Sequence, residues 1–448
     1  MMKKSIYKSH HQSIVWVSVI LLACIFSCNN ANKDDQSKDN SKIAKDSMYF
    51  KHEYGNAIEP LAPLHTSPKN KFAQIIGWKD GHMPTVPPGY LVVKFADNLN
   101  SPRNIYVAPN GDIFVSQART VKSGEDTEKV DSRNIFRDTS PDNILVFKDT
   151  NKDGIPESQE VFLSGLSQPY GMLVLGDWFY VANTDGLLRF PYNPKTGKVQ
   201  SQSQSLVKLP AGGYNNHWTR NIIPNHDGSK IFIAVGSAGN VGEEGMDKEI
   251  RRAAILEINP DGSNERIFGS GLRNPVGIAI EPSTNILWTA VNERDELGDA
   301  LVPDYITSVT ESGFYGWPYF YWGKNIDPRW EGKTPDSLAQ KSLTPDYAIG
   351  AHTASLGLAF SNVPGFKKGA FIGQHGSWNR SELVGYKVAF VPFADGKPNG
   401  QPQDFLSGFI ADREKGEVYG RPVAVTFTDT YLLVTDDAAN VIWAVLPE

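Results

Sequence analysis

Cysteine is almost absent: the 448 residues contain two, Cys24 and Cys28, both near the start. The remainder of the chain therefore cannot depend on disulfide bonds. The apolar run from Ile14 to Phe26 falls short of the ~20 residues that a transmembrane helix needs. Charge of one sign is not in excess. The formal net charge is -6, with acids and bases spread along the chain, which leaves no nucleic-acid footprint and no basic membrane-binding stripe. There is no GxGxxG placed after a strand and opening a helix, no phosphate-binding loop and no zinc-spaced cysteine set. Nicotinamide, flavin and nucleotide chemistry are thus unsupported.

The amino-terminal pattern is specific. Lys3, Lys4 and Lys8 precede the apolar run, which ends at Ser27-Cys28 and gives way at once to polar residues. This is the layout of a secretory signal, and over residues 1–28 it resembles a bacterial lipoprotein signal, in which Cys28 is acylated and becomes the new N-terminus. Cys24 fits the cleavage box nearly as well but would leave Ile25 and Phe26 in the mature tail. Residues 29–48 are small, polar and charged and read as a flexible tether. The expectation is an exported protein, lipid-anchored to the cell envelope and touching the membrane through that anchor only.

Forty glycines and 29 prolines suit short strands joined by turns. Beyond the lead-in, the first convincing strand is Tyr90 to Ala96. A unit of strand, polar turn and strand then recurs, starting at Pro102, Pro169, Thr219, Asn274, Ala354 and Arg421. Asn-Gly, Gly-Asp and Asp-Gly in the turns mark hairpins. Six copies at such spacing predict an all-β, six-bladed β-propeller over residues 49–448, one blade per copy. Tyr90 to Ala96 and Val441 to Leu446 are expected to share a blade and close the ring. Two segments interrupt the repeat: 118–142, read as a loop, and a longer insert at 294–352, whose length suggests a function. The second contains GFYGWPYFYWG, which reads either as a satellite core or as a cofactor lid.

In a propeller, residues just before each innermost strand gather at one end of the channel. Here they are Gln168, His217 with Arg220, Arg273 with Asn274, Thr353, and Arg421. His217, in a polar glycine-containing loop, is the candidate general base. Arginines bind carboxylates bidentately, so Arg273 and Arg421 point to a polyanionic ligand. Separately, Asp149, Asn151, Asp153, Gly154 and Glu160 in DTNKDGIPESQE match positions of a calcium loop. The reading is a structural calcium clip or a plain acidic turn.

GLRNPVGIAIEP, NERDELGD and GFYGWPY, with AHTASLGLAF, GQHGSWNR and GYKV further on, resemble the quinoprotein glucose/sorbosone dehydrogenases. The likeness runs from about Tyr90 to the end and is nearest to the sorbosone-dehydrogenase-like branch. It implies a six-bladed propeller that holds pyrroloquinoline quinone (PQQ) and Ca²⁺ at the channel mouth. It implies His217 as the base and Arg273 beside the reacting quinone carbonyl with Asn274. Thr353 and Arg421 would hold cofactor carboxylates, Gln168 would reach substrate or quinone, and backbone around Arg294 and Asp295 would bind the cofactor calcium. The implied activity is oxidation of a sugar or sugar-derived aldehyde, with electrons passed to an envelope acceptor. Departures from the glucose-oxidising branch are Glu293-Arg294-Asp295 in place of a Gln-Gly-Pro turn, Tyr419 in place of an arginine, and His375, Asn379 or Arg380 in place of a lysine. Two other readings stay open: a calcium-dependent lactonase using Asn292, Glu293 and Asp436, and a non-catalytic propeller that binds glycan or protein.

Overall fold

The computed structural model describes residues 51–79, 81–121, 139–212 and 216–448. Cys24, Cys28, the tether and most of the 118–142 loop lie outside the described residues.

Each recurring hairpin forms the inner two strands of a four-stranded antiparallel blade. Blade 1 runs Pro102–Val107, Ile113–Gln117, Asn143–Lys148, Ser158–Leu163. Blade 2 runs Gly171–Leu175, Trp178–Asn183, Gly186–Asn193, Gln204–Lys208. Blade 3 runs Arg220–Pro224, Ile231–Val235, Ala254–Ile258, Arg266–Ser270. Blade 4 runs Pro275–Ile280, Leu287–Val291, Pro303–Ser308, Tyr347–Ala351. Blade 5 runs Ser355–Phe360, Gly369–Gln374, Lys387–Ala394, Gln403–Leu406. Blade 6 runs Pro422–Phe427, Leu432–Asp436, Val441–Pro447, and takes its outermost strand, Tyr90–Ala96, from the start of the ring. The pairing of Tyr90 with Pro447 and Val93 with Ala444 is the expected clasp. Each innermost strand packs on the next and the sixth on the first, so the ring is closed.

Burial follows position in the blade. Ile231–Val235 and Leu287–Val291 are buried throughout, because a central strand has a neighbouring blade on both faces, which calls for unbroken apolar sequence. The outermost Ser158–Leu163 is largely exposed. Adjacent blades share apolar cores: Phe114 and Phe179 join blades 1 and 2, Ile233 and Leu173 join 2 and 3, and Val434 and Phe371 join 5 and 6. Each such side chain contributes about 1.5–3 kcal/mol on full burial, so the ring is held by its inter-blade seams.

The 294–352 insert is shorter than expected, since it contains the two outer strands of blade 4. The true excursion is 309–346. Its aromatic stretch settles as a satellite core: Tyr315, Trp317, Phe320, Tyr321 and Trp322 are all buried. Gly313–Phe314 extends the edge of blade 3 in parallel with Gly269 and Ser270.

Candidate active site

One residue from every blade seals the channel. Ala118, Tyr170, Trp218, Val276, Leu356 and Val423 form a buried cluster beside the innermost strands. Trp218, Val276 and Leu356 also line a cavity of about 820 Å³, for which this cluster is the floor. Ser101, His352 and Ala354, at the same end, hold left-handed backbone (φ 54°, 62° and 52°). Sterics disfavour that conformation for residues with a Cβ, and it recurs where a site needs a fixed geometry.

His217 lines this cavity. The sequence placed it in an open loop, but it is only 6% exposed, because Trp218 packs beside it into the floor. Its Nδ1 lies 3.1 Å from the Ser237 carbonyl oxygen and 3.0 Å from Ser237 Oγ. The carbonyl can only accept, so Nδ1 carries the proton and Nε2 keeps its lone pair. Burial, reinforced by the Arg273 charge, lowers the His217 pKa well below 6.5. A neutral imidazole with a free lone pair at neutral pH is the form a general base needs. Asn274 lines the cavity beside it, and its Oδ1 is buried without a hydrogen-bond partner. Gly236 makes room for both: a Cβ there would meet His217 Cβ at 2.7 Å.

A cationic arc forms another part of the lining, with Arg103, Arg119 and Arg421. Arg421 donates to the carbonyl oxygens of His375 (2.9 Å) and Gly376 (2.9 Å) and stands over the Tyr386 ring. His375 Nε2 lies 2.7 Å from Asp437 Oδ1, and Arg103 pairs with Asp437 Oδ2. Burial alone would raise the Asp437 carboxyl, but His375 and Arg103 hold it well below the usual carboxylate range. Burial and then the Arg421 charge push His375 down to about 4, so it donates to Asp437 as a neutral ring. Asp295 also lines the cavity, between His352 Nδ1 at 3.2 Å and Arg273 Nη2 at 3.4 Å. Burial works against a charged His352, yet the Asp295 bond and charge outweigh it and raise its pKa.

A family model described as TrAA12-like matches residues 84–303 and 320–447, which is most of the chain. The chain belongs to the TrAA12-like family. Among curated relatives, it is 27% identical over 307 residues to a pyrroloquinoline quinone-dependent pyranose dehydrogenase of Coprinopsis cinerea, covering 56% of this chain and 40% of that one. It is 29% identical over 192 residues to the aldose sugar dehydrogenase YliI of Escherichia coli K12, covering 39% and 50%. The chain spans between 40% and 64% of the length of the curated relatives it matches. Among solved structures, the holo PQQ domain of the C. cinerea pyranose dehydrogenase superposes with a TM-score of 0.64 at 19% identity, over 84% of this chain and 100% of that one. The PQQ-bound aldose sugar dehydrogenase of Streptomyces coelicolor gives 0.54 at 17%, over 81% and 99%. At such identity the structural likeness speaks to the propeller fold. The sequence matches show a relative of PQQ-dependent sugar dehydrogenases.

Several predicted residues of this TrAA12-like chain lie elsewhere than expected. Thr353 is fully buried and donates to Asp304 Oδ2 at 3.0 Å, so it does not reach the cavity. Gln168 donates to the Arg119 carbonyl at 2.7 Å and stays out of the lining. Arg273 is turned into the protein: it donates to the carbonyls of Asn292 (3.0 Å), Glu293 (2.6 Å) and Asn240 (3.2 Å). It therefore braces the 292–295 loop and is not among the residues lining the cavity. Arg294 pairs with buried Asp327 at 3.2 Å, and only Asp295 of the two expected calcium-loop residues lines the cavity. The lactonase trio is not gathered. Asp436 is taken up by Trp78 Nε1 and the amides of Arg421 and Ala439, and Glu293 is buried on the Arg294 amide.

In the DTNKDG turn, Asp149 Oδ2 accepts from Gly154 N (2.9 Å) and Tyr431 Oη (2.6 Å). Asn151 and Asp153 bond one another. Glu160, however, sits exposed on the outermost strand opposite Val146. Glu157 closes the turn in its place, through the Thr150 amide at 2.8 Å. Among the described residues, no three His, Cys, Asp or Glu side chains are grouped as a metal set. The sequence reading missed Arg103, Asp437 and His352 as lining groups. AHTASLGLAF carried the last of these in plain view.

Proposed function

We propose that this chain is a PQQ-dependent oxidoreductase that oxidises a sugar or sugar-derived aldehyde, in the manner of the sorbosone-type enzymes. The observation that carries the reading is a neutral, buried His217 beside the unpartnered Asn274 Oδ1, in a cavity bordered by three arginines. A flat tricarboxylate fits this donor set: guanidinium groups match carboxylates, and the orphaned amide oxygen supplies a polar contact next to the base. Arg421, Arg103 and Asn274 would hold the cofactor, with Asn292 and Asp295 as oxygen donors toward its calcium. When bound, the quinone supplies a two-electron acceptor.

His217 accepts the proton of the substrate hydroxyl at Nε2, while the Ser237 carbonyl fixes the ring through Nδ1. Arg273 acts indirectly, by holding the carbonyls of Asn292 and Glu293 and so the loop that carries Asp295. The chain is exported and lipid-anchored at Cys28 on the periplasmic face or cell surface, and passes electrons to an envelope acceptor. The turn at Asp149, Asn151 and Asp153, closed by its own amides and by Glu157, is a plain acidic turn.

The test is a PQQ titration in the presence of Ca²⁺, followed by dye reduction with aldoses and aldehydes. Micromolar quinone binding, weakened at least tenfold in Arg421→Ala, with dye reduction abolished in His217→Ala, supports the proposal. Absence of quinone binding sinks it and favours a binding propeller. Loss of fatty-acid labelling in Cys28→Ala tests the anchor.

A further inference from the structure

The family match begins at residue 84, yet four residues ahead of it, from Phe72 to Ile75, line the cavity. They belong to a strap laid across the mouth and pinned at intervals to several elements of the ring. Leu64 N donates to the Leu297 carbonyl at 2.8 Å and Asp299 N to Thr66 Oγ1 at 2.7 Å. Lys71 N bonds the Trp378 carbonyl at 2.8 Å. Gln74–Ile75 pairs in parallel with Glu417–Val418, and Trp78 Nε1 reaches the buried Asp436 at 2.8 Å. A strap so anchored holds its side chains in place.

What the strap contributes is apolar surface. The floor offers almost none, since Trp218 is 1% and Val276 2% exposed. Phe72 is 37% and Ile75 40% exposed, and the Phe72 ring lies nearly parallel to the half-buried Trp378 ring, 6.0 Å away at 4°. Both rings border the cavity, with Gln74 next to them. An open aromatic surface with amides at its border complements a ligand that is apolar on its faces and hydroxylated at its edge. A pyranose ring has that character.

We infer that the strap is a substrate-recognition element, with Phe72 and Trp378 stacking on the C–H face of a sugar ring held above the cofactor-binding floor. This deepens the proposed function and rests on that reading for its choice of ligand. The experiment is calorimetric titration of the full chain with a panel of aldopyranoses, with and without added PQQ and Ca²⁺. The wild type should bind at least one of them saturably. Phe72→Ala should weaken that affinity about tenfold while leaving the quinone affinity within twofold, and Phe72→Tyr should restore the sugar. Such a split is the mark of lost ground-state binding rather than lost fold. Failure of the wild type to bind any pyranose, or unchanged affinity in Phe72→Ala, overturns the inference. Quinone uptake without sugar binding removes the aromatic wall and leaves the dehydrogenase reading in place. Phe72-dependent sugar binding without quinone uptake keeps the wall and removes the dehydrogenase.

Discussion

Arg220 Nη1 donates to the His217 carbonyl oxygen at 2.8 Å and to the Thr219 carbonyl at 2.9 Å, while Nη2 donates to Pro210 at 2.6 Å. The guanidinium is fully buried, and this cation, placed by sequence at the channel mouth, serves as the backbone support of His217. Arg220→Leu would take this donor from three carbonyls, two of them buried. A loss of about 2–5 kcal/mol in denaturant unfolding is expected, with turnover falling further than quinone affinity.

The role proposed for His217 should show in the pH profile. The proposed role as base requires the neutral imidazole, and burial with the Arg273 charge lowers the His217 pKa well below 6.5. Sugar oxidation, measured as kcat/KM against pH, should stay level from pH 8 to below 6.5 and fall only at more acid values. His217→Gln should lower kcat by about 10²–10⁴, with little change in quinone binding.

Asp436 gives a pH-dependent stability of opposite sign to the common carboxylate case. Burial raises its pKa to about 6, against the bonds from Trp78 and the amides of Arg421 and Ala439. The folded protein therefore holds a proton that the unfolded chain releases near pH 4. Its stabilising contribution is complete below pH 4 and is lost as pH rises through 6. Between pH 4 and pH 7, wild type should lose on the order of 3 kcal/mol relative to Asp436→Asn, read from urea unfolding at each pH.

The Arg103–Asp437 pair joins the first blade to the last. Removing one partner strands the other in a mostly buried site, so Asp437→Asn should cost about 3 kcal/mol. The double variant with Arg103→Met should cost less than the sum of the single changes. A double-mutant cycle by denaturant unfolding should give a coupling of about 1–3 kcal/mol; additive behaviour would refute the pair.

The repeat made much of the fold legible. The strand predicted from Tyr90 to Ala96 is the strand observed, since apolar runs bounded by turns identify themselves locally. His217, Asn274 and Arg421 reach the cavity because position ahead of an innermost strand fixes which end of the channel a residue occupies. Direction was not legible. Arg273 and Arg220 stand at the expected positions but aim at carbonyls, and a sequence shows a charge without its heading. Thr353 was lost to Asp304, 49 residues away. Arg103 and Asp437 are 334 residues apart, a pairing that no local pattern reveals. The aromatic stretch from 313 to 323 could serve as lid or core by composition alone. Its burial decides for core, with Trp317 Nε1 also buttressing the Asn240 carbonyl at 3.0 Å.

The union of Tyr90–Ala96 with Val441–Pro447 sets a timetable for the molecule. A ribosome makes the outermost strand of the sixth blade before any of the five blades between, and that strand must wait, unpaired, for its partner. The cavity takes groups from the first blade and the last, so no partial chain contains it. Closing a loop of such length is a high-contact-order step and a slow one, during which an apolar edge is open to other chains. The cavity should therefore form abruptly and last in refolding, after the inner hairpins have formed.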